Sequence, residues 1–251
     1  MTTRWRRKME ALYAEIHPPA RDAAILAGHD ALRSLSEILP GTRCLDAGCG
    51  ATGRAMQRLR ELGAAVVVGC DLPSVVRAAP DDPLKVAADL EVLPFRSQSF
   101  DVVYCNGVLH HTRNPPALLR ECARILRRGG VLYLAVYGRG GLVSWAITVA
   151  RCGVRCLPRR LIDWWLRDAM PLWRANILDV LYVPILRRFS TQGLWALLTA
   201  QGFQNLQRVE TAWTYPRGVA HWLQASAWPT DLPGRRLLHG AGWIAVRATR
   251  S

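Results

Sequence analysis

The stretch Gly41 to Arg54, GTRCLDAGCGATGR, constrains this chain more than any other. Arg43 to Ala47 is a short apolar run that suits a strand. Glycines follow at positions 48, 50 and 53, and a helix is expected from about Arg54 to Leu62. Glycine lets the backbone turn at positive φ and approach a ligand closely. The N–H groups of the new helix then point at whatever binds there. The same Gly-x-Gly-x-x-Gly spacing serves dinucleotides, so alone it does not name the ligand. Asp46 narrows the choice. A carboxylate two residues before the first glycine repels a pyrophosphate and attracts an ammonium group. A zwitterionic, cationic ligand is the better match.

Composition sets the limits. The chain has 251 residues, half of them apolar and 21% charged, enough for one well-filled domain with an insertion. The net charge of +14 is almost all arginine, since Lys8 and Lys85 are the only lysines. Such a surplus attracts nucleic acid or an anionic membrane surface. Yet the arginines are scattered, and Arg4 to Lys8 is the one dense block. The seven cysteines are odd in number, fall partly in expected strands (Cys44, Cys70, Cys105) and lack metal-type pairing. Reduced thiols in a cytoplasmic protein without a metal are expected. The first twenty residues show no apolar core of signal-peptide kind. The longest apolar run, Leu142 to Ala150, is too short to cross a membrane.

Taken in order, residues 1 to 39 read as helical. Met9, Leu12, Tyr13 and Ile16 recur at helical spacing, Pro18-Pro19 stops that segment, and a second helix is expected from about Arg21 to Leu39. This leading segment would either close over a ligand site, with Tyr13 and His17 on its inner side, or simply pack on a sheet. Ala64 to Cys70 suits a strand buried on both faces. It ends at Asp71, placed either to accept from ribose hydroxyls or to cap a helix. Leu84 to Ala88 is a third strand, followed by Asp89-Leu90, suited to the edge and face of an adenine. Asp101 to Cys105 is a fourth, leading into Asn106 and His110-His111. Pro115 to Leu126 reads as an amphipathic helix with Arg127-Arg128 in its last turn and Gly129-Gly130 closing it. Val131 to Tyr137 is the fifth strand. Asn205 to Trp213 and Gly242 to Ala248 are candidates for the last two.

From about Gly41 to Tyr137 these pieces resemble the core of a class I S-adenosylmethionine-dependent methyltransferase. The resemblance rests on Cys44-Leu-Asp-Ala-Gly-Cys-Gly50, Gly69-Cys-Asp71 and Ala88-Asp-Leu90 with Leu93-Pro-Phe95. Leu109-His-His111 and Leu126-Arg-Arg-Gly-Gly130 complete it. It implies an α/β fold, a Rossmann-like seven-stranded, mostly parallel sheet with helices on both faces, its last two strands antiparallel. Here a helical cap is inserted after strand five. The implied division is an N-terminal helical lid (1–40), a core (41–137 and 191–251) and the cap (138–190). The implied methyl donor is S-adenosyl-L-methionine. It would be held by Asp46, Gly48, Cys49, Gly50, Asp71, Leu72, Asp89, Leu90, Asn106 and Tyr13. Cys49 reads as a small packing residue, not a nucleophile. His110 and His111 are candidates for a general base, since imidazole titrates in the right range. Either could equally pack beside the donor.

The acceptor is not written in the motifs. The cap region carries Trp145, Trp164, Trp165 and Trp173 among interleaved arginines. That pattern suits a wall over a small organic acceptor, which we expect. It also suits a surface resting on a membrane beside a lipid-like acceptor, an RNA-binding face, or a purely structural cap. Outside methyl transfer, the glycine pattern is also compatible with a nicotinamide-dependent oxidoreductase or a non-catalytic binding module. Asp46 and the Asp89 segment argue against the first, and the intact motifs against the second.

Overall fold

The computed structural model describes residues 8–9, 12, 30–77, 82–154, 156–169, 174–209 and 242–251. The elements are β1 (Arg43–Ala47), α1 (Arg54–Glu61), β2 (Val66–Asp71), α2 (Pro73–Arg77), β3 (Lys85–Ala87), β4 (Phe100–Asn106), α3 (Pro115–Ile125) and β5 (Leu126–Tyr137). They continue with α4 (Leu142–Val154), α5 (Arg159–Ala169), α6 (Arg174–Tyr182), α7 (Thr191–Ala200), β6 (Phe203–Val209) and β7 (Trp243–Arg250).

One seven-stranded sheet has the order β3-β2-β1-β4-β5-β7-β6. The first five strands are parallel, and β7 runs antiparallel to both β5 and β6. The expected α/β architecture is therefore present, as are helices in the insertion after β5. Parallel strands covered on both faces need apolar side chains on both, and the sheet shows them. Leu45, Val103, Leu132 and Leu134 enter one core with Leu118, Leu119 and Cys122 of α3 and Leu194 and Leu198 of α7. Cys44, Val102, Tyr104 and Tyr133 enter the opposite core with Leu35, Leu39, Met56 and Leu59. A third, smaller core joins Met9 and Leu12 to Leu166, Leu178 and Val183 of the cap, with Leu72 packed against it.

Three readings of the sequence need correction. The helix before β5 ends at Ile125, and Arg127 and Arg128 lie in the strand, not in a last helical turn. Between the pairs Phe100↔Leu126 and Val102↔Val131 the strand bulges. The Arg127 guanidinium there meets the Asp101 carboxylate at 2.9 Å, so side-chain pairing across the bulge holds the arginine off the helix end. Residues 30–39, expected as the end of a helix, form a 3-10 turn over Asp30–Leu35 and then irregular backbone that buries Leu35 and Leu39 under β1. The sixth and seventh strands begin at Phe203 and Trp243. The lid residues Tyr13 and His17, and Trp173 of the cap, lie outside the described residues.

Candidate active site

The strand order reverses between β1 and β4, and their carboxyl ends open the crevice where open α/β sheets bind ligands. Asp46, Asp71 and Asn106 end or nearly end three neighbouring strands there. Gly48 turns at φ +90° and carries no side chain because Val108 sits against it: a Cβ would lie 2.2 Å from Val108 Cγ2. Gly50, at φ +64°, faces open space. The chain thus crosses the crevice tightly at the first glycine and leaves room at the second.

Asp46 is buried, at 2% exposure. It accepts from the backbone N–H of Met56, in the first turn of α1. The N-cap of that helix is Gly53, which has no side chain to offer, so an acid from the strand does the capping. The second carboxylate oxygen, Oδ2, is buried without a hydrogen-bond partner. Burial first and the charge of Asp71 second push the Asp46 carboxyl up to about 8, while Lys85 and the Met56 N–H pull the other way. A buried carboxylate oxygen with no donor is costly, and a cationic N–H donor is the group that relieves it. Asn106 Oδ1, at the end of β4, is also buried without a partner. The residues present therefore fit an amino-acid ammonium.

Asp71 accepts from Gly50 N–H at 2.8 Å and from Leu72 N–H at 2.7 Å. These bonds tie the glycine turn to the end of β2. Each carboxylate oxygen has two lone pairs, so one hydrogen bond does not exhaust it. Asp89 Oδ1 accepts from Glu91 N–H at 3.0 Å and shapes the turn toward Val92. Leu90 is buried in the larger core. Cys49 is buried, its sulfur over Gly69, and burial pushes its thiol up, so it is a packing residue.

The two histidines differ. His111 Nδ1 lies 2.9 Å from the Ile185 carbonyl, which can only accept, so this nitrogen carries the proton. Its Nε2 faces Asp179 Oδ2 at 3.5 Å. Both contacts come from the cap. His110 is fully buried among His111, Tyr137 and Trp243, with ring centroids 4.1, 4.3 and 5.9 Å away. Its Nδ1 has no partner. Burial, then His111, holds its pKa well below the usual range, so it is a neutral imidazole.

Several contributing residues escaped the sequence reading. Lys85 Nζ reaches from β3 to the Ala51 carbonyl of the glycine turn at 2.7 Å. That it is one of only two lysines was the available signal. Glu91 accepts from Arg113 and Asn114 N–H, and Arg124 donates to the carbonyls of Leu93 and Phe95, fixing the 89–95 segment to α3. Asp179 and the returning cap segment, whose Arg187 N–H bonds the His110 carbonyl at 2.9 Å, had no signal in sequence. Among the described residues no cluster of metal-ligating side chains occurs, and no helix is long and apolar enough to cross a membrane.

Comparison with known proteins identifies the family. A family model described as a methyltransferase domain matches residues 45–134. The ubiquinone biosynthesis O-methyltransferase of Xanthomonas oryzae pv. oryzae is 30% identical over 166 residues, covering 58% of this chain and 69% of that protein. The chain belongs to the class I S-adenosylmethionine-dependent methyltransferases. In fold it is similar to a chain of the complex between the Haloferax volcanii Trm112 methyltransferase activator and a methyltransferase. That match has a TM-score of 0.62 and 20% identity, over 98% of this chain and 97% of the other. It is also similar to the 1,6-didemethyltoxoflavin-N1-methyltransferase of Burkholderia thailandensis, solved with S-adenosylhomocysteine. There the TM-score is 0.52 and the identity 17%, over 100% of this chain and 92% of the other. The methyl donor of this methyltransferase is S-adenosylmethionine, as the motifs imply.

Proposed function

We propose that this methyltransferase carries a methyl group from S-adenosylmethionine to a hydroxyl oxygen of a small organic acceptor, by in-line displacement. The observation that carries the reading is the orphaned Oδ2 of Asp46 beneath the glycine turn. We assign Asp46 and Asn106 to the amino-acid end of the donor, Asp71 to its ribose, and the turn at Asp89 to its adenine side. Leu72, Leu90 and the backbone at Gly48, Cys49 and Gly50 shape the walls. When bound, S-adenosylmethionine supplies a sulfonium methyl already activated for displacement.

The protein's task is then alignment, exclusion of water and removal of one proton. His110 is the base we assign. It is neutral, and its Nδ1 carries no competing hydrogen bond. His111 we assign a positioning role, since its Nδ1 is occupied by a cap carbonyl and its Nε2 faces a cap carboxylate. Tyr137 and Trp243 beside His110 offer an aromatic wall to a planar acceptor. The curated relative's name, an O-methyltransferase of ubiquinone biosynthesis, supports oxygen as the atom methylated.

The test has two readouts. Calorimetric titration with S-adenosylhomocysteine should show Asp46→Asn weakened about 10- to 100-fold, the range for losing a hydrogen bond to a charged group. With an identified phenolic acceptor, His110→Asn should lower kcat about 100- to 10,000-fold with the donor KM unchanged. Undiminished binding by Asp46→Asn would sink the donor-site assignment. Transfer to oxygen at full rate by His110→Asn would sink the base.

A further inference from the structure

The outer helices of the cap turn apolar side chains to solvent. Of the ten large apolar side chains that stand exposed among the described residues, seven lie between 142 and 165. On α4, Leu142, Trp145, Ala146, Val149 and Cys152 recur at spacings of three and four, which places them on one stripe, and all are exposed. The opposite side of α4 carries Arg151, which turns inward and donates to the carbonyls of Val180 and Val183 at the end of the cap's inner helix. The next helix repeats the arrangement. On α5, Leu161, Trp164 and Trp165 are 59%, 65% and 55% exposed, while Asp163 points inward to Arg174 at 2.5 Å. A soluble helix normally buries its apolar stripe and exposes its ions. Here each helix packs one side on α6, α5 burying Leu166 beside Asp163, and leaves a second apolar stripe in solvent.

Charge surrounds the apolar stripes. Residues 138–190 hold nine arginines against three aspartates. Arg160 and Arg167 flank the exposed side of α5, and Asp168 is the one acid on the outer side of either helix among the described residues. Beside Trp145 an open groove of about 520 Å³ is lined by Arg139, Arg188, Ser144 and Thr148 at the start of α4. Arg188 Nη1 donates to Thr148 Oγ1 at 3.0 Å, and its Nη2 is without a partner.

We propose that this face of α4 and α5 docks on an anionic phospholipid surface, with Trp145, Trp164, Trp165 and Leu161 entering the headgroup boundary and Arg139 and Arg188 meeting lipid phosphate. Exposed apolar area on this scale marks an interaction site. Tryptophan and leucine ringed by arginine is the composition of helices that lie in a bilayer interface. The aliphatic members of the stripes, Leu142, Val149 and Leu161, favour lipid over RNA, whose bases stack on rings and whose phosphates reject alkyl groups. Docking there would set the cap segment that touches His110 and His111 close to the membrane, a natural place for an apolar acceptor. The docking itself does not depend on the assignment of the acceptor or of the base.

Sedimentation of the full chain with vesicles tests it. Binding should be weak to phosphatidylcholine alone, strong when phosphatidylglycerol is added, and reduced by salt. The triple variant Trp145→Ser, Trp164→Ser, Trp165→Ser should lose binding about tenfold or more. The variant Arg139→Ala with Arg188→Ala should lose about fivefold per arginine. S-adenosylhomocysteine affinity, read on the same preparations, reports that the variants are folded. Failure of the native chain to sediment with phosphatidylglycerol vesicles overturns the proposal, as does equal binding by the triple variant. Retention on RNA without vesicle binding gives the face to nucleic acid and overturns it. A dimer in light scattering that the triple variant dissolves, again without vesicle binding, gives it to a second copy and likewise overturns it.

Discussion

The sheet and the cap solve the same packing problem in opposite ways. In the sheet, β5 alternates strictly: Leu132 and Leu134 enter one core and Tyr133 and Ala135 the other. The interior is almost wholly apolar or aromatic, and the acids Asp46 and Asp71 stand at the carboxyl edge. In the cap, the ion pair Asp163–Arg174 and the guanidinium of Arg151 share the interior with Leu166, Leu178 and Val183, while three tryptophans face outward. The sheet's stability comes from its own apolar burial and needs no partner. The cap adds directional polar contacts to a small apolar core, and leaves a stripe of apolar side chains in solvent.

The largest expected effect breaks this contrast from the cap side. Asp163 and Arg174 are both about 8% exposed at the side chain. Replacing one member of a buried pair leaves the other charged and unmatched, which costs about 3–5 kcal/mol. Asp163→Ala should therefore open the cap, and hydrogen exchange over residues 142–182 should accelerate while β1, β4 and β5 remain protected. Uniform loss of protection in sheet and cap would show that the two are one cooperative unit. Acid acts in the same direction. The hydrogen bond from Arg174 holds the Asp163 carboxyl below its usual range despite burial. Its contribution is present above the unfolded pKa and is lost as pH falls through the folded one. The cap should loosen first on acidification.

Asp46 carries the opposite sign, and the next prediction uses it. Its carboxyl is raised from 3.8 to about 8 by burial and by Asp71. The folded, ligand-free chain holds this proton more tightly than the unfolded chain does. This contribution to stability is present at low pH and declines as pH rises from about 4 toward about 8. Asp46→Asn, which removes the need to bury a charge, should raise the melting temperature of the ligand-free protein even as it weakens donor binding. Calorimetry with and without S-adenosylhomocysteine separates the two. A lower melting temperature for the ligand-free variant would show that the carboxylate, through its bond to Met56, stabilises the fold more than its burial opposes it.

A smaller effect follows from the same titration. An ammonium group binds the ionised carboxylate, so donor affinity should strengthen as pH rises through about 8, with proton release on binding at neutral pH. Titrations in two buffers of different ionisation enthalpy measure that proton directly. In Asp46→Asn the release should vanish. If it persists, another group takes up the charge.

How much of this could be read from the sequence depends on how local the cause is. The strand–turn–helix at Gly41 to Arg54 is set by neighbours in the chain, and it formed as expected with Gly48, Gly50 and Gly53 at positive φ. The seven-stranded, mostly parallel sheet was implied by the resemblance that the ordered motifs carry; the strand order was not read from the sequence. The end of α3 was misplaced because Arg127 answers to Asp101, a partner from another strand. Asp179 was not legible because its link to His111 depends on how a cap helix lands on a loop far earlier in the chain. The cap's orientation was hidden for a different reason. Periodicity shows that Leu161, Trp164 and Trp165 share a stripe, yet it does not say which side of a helix faces inward. α5 has apolar residues on two sides, and Leu166 and Ile162, with the Asp163–Arg174 pair, take the inner one.

The smallest predicted effect sharpens the comparison most. Trp164 is 65% exposed, so Trp164→Ser removes an indole that already stands largely in water. Surface substitutions of this kind change stability by about 0.5 kcal/mol or less. Leu119 on α3 is wholly buried under the sheet, and Leu119→Ala should cost about 2–5 kcal/mol. A tryptophan in a core would behave like Leu119; one reserved for a partner should leave the melting curve unmoved and change only what the protein binds. Equal losses in the two variants would place Trp164 in an interior and remove the exposed stripe assigned to the cap. A silent Trp164→Ser alongside a crippled Leu119→Ala would mean that this indole contributes nothing to folding and is available for a contact outside the chain.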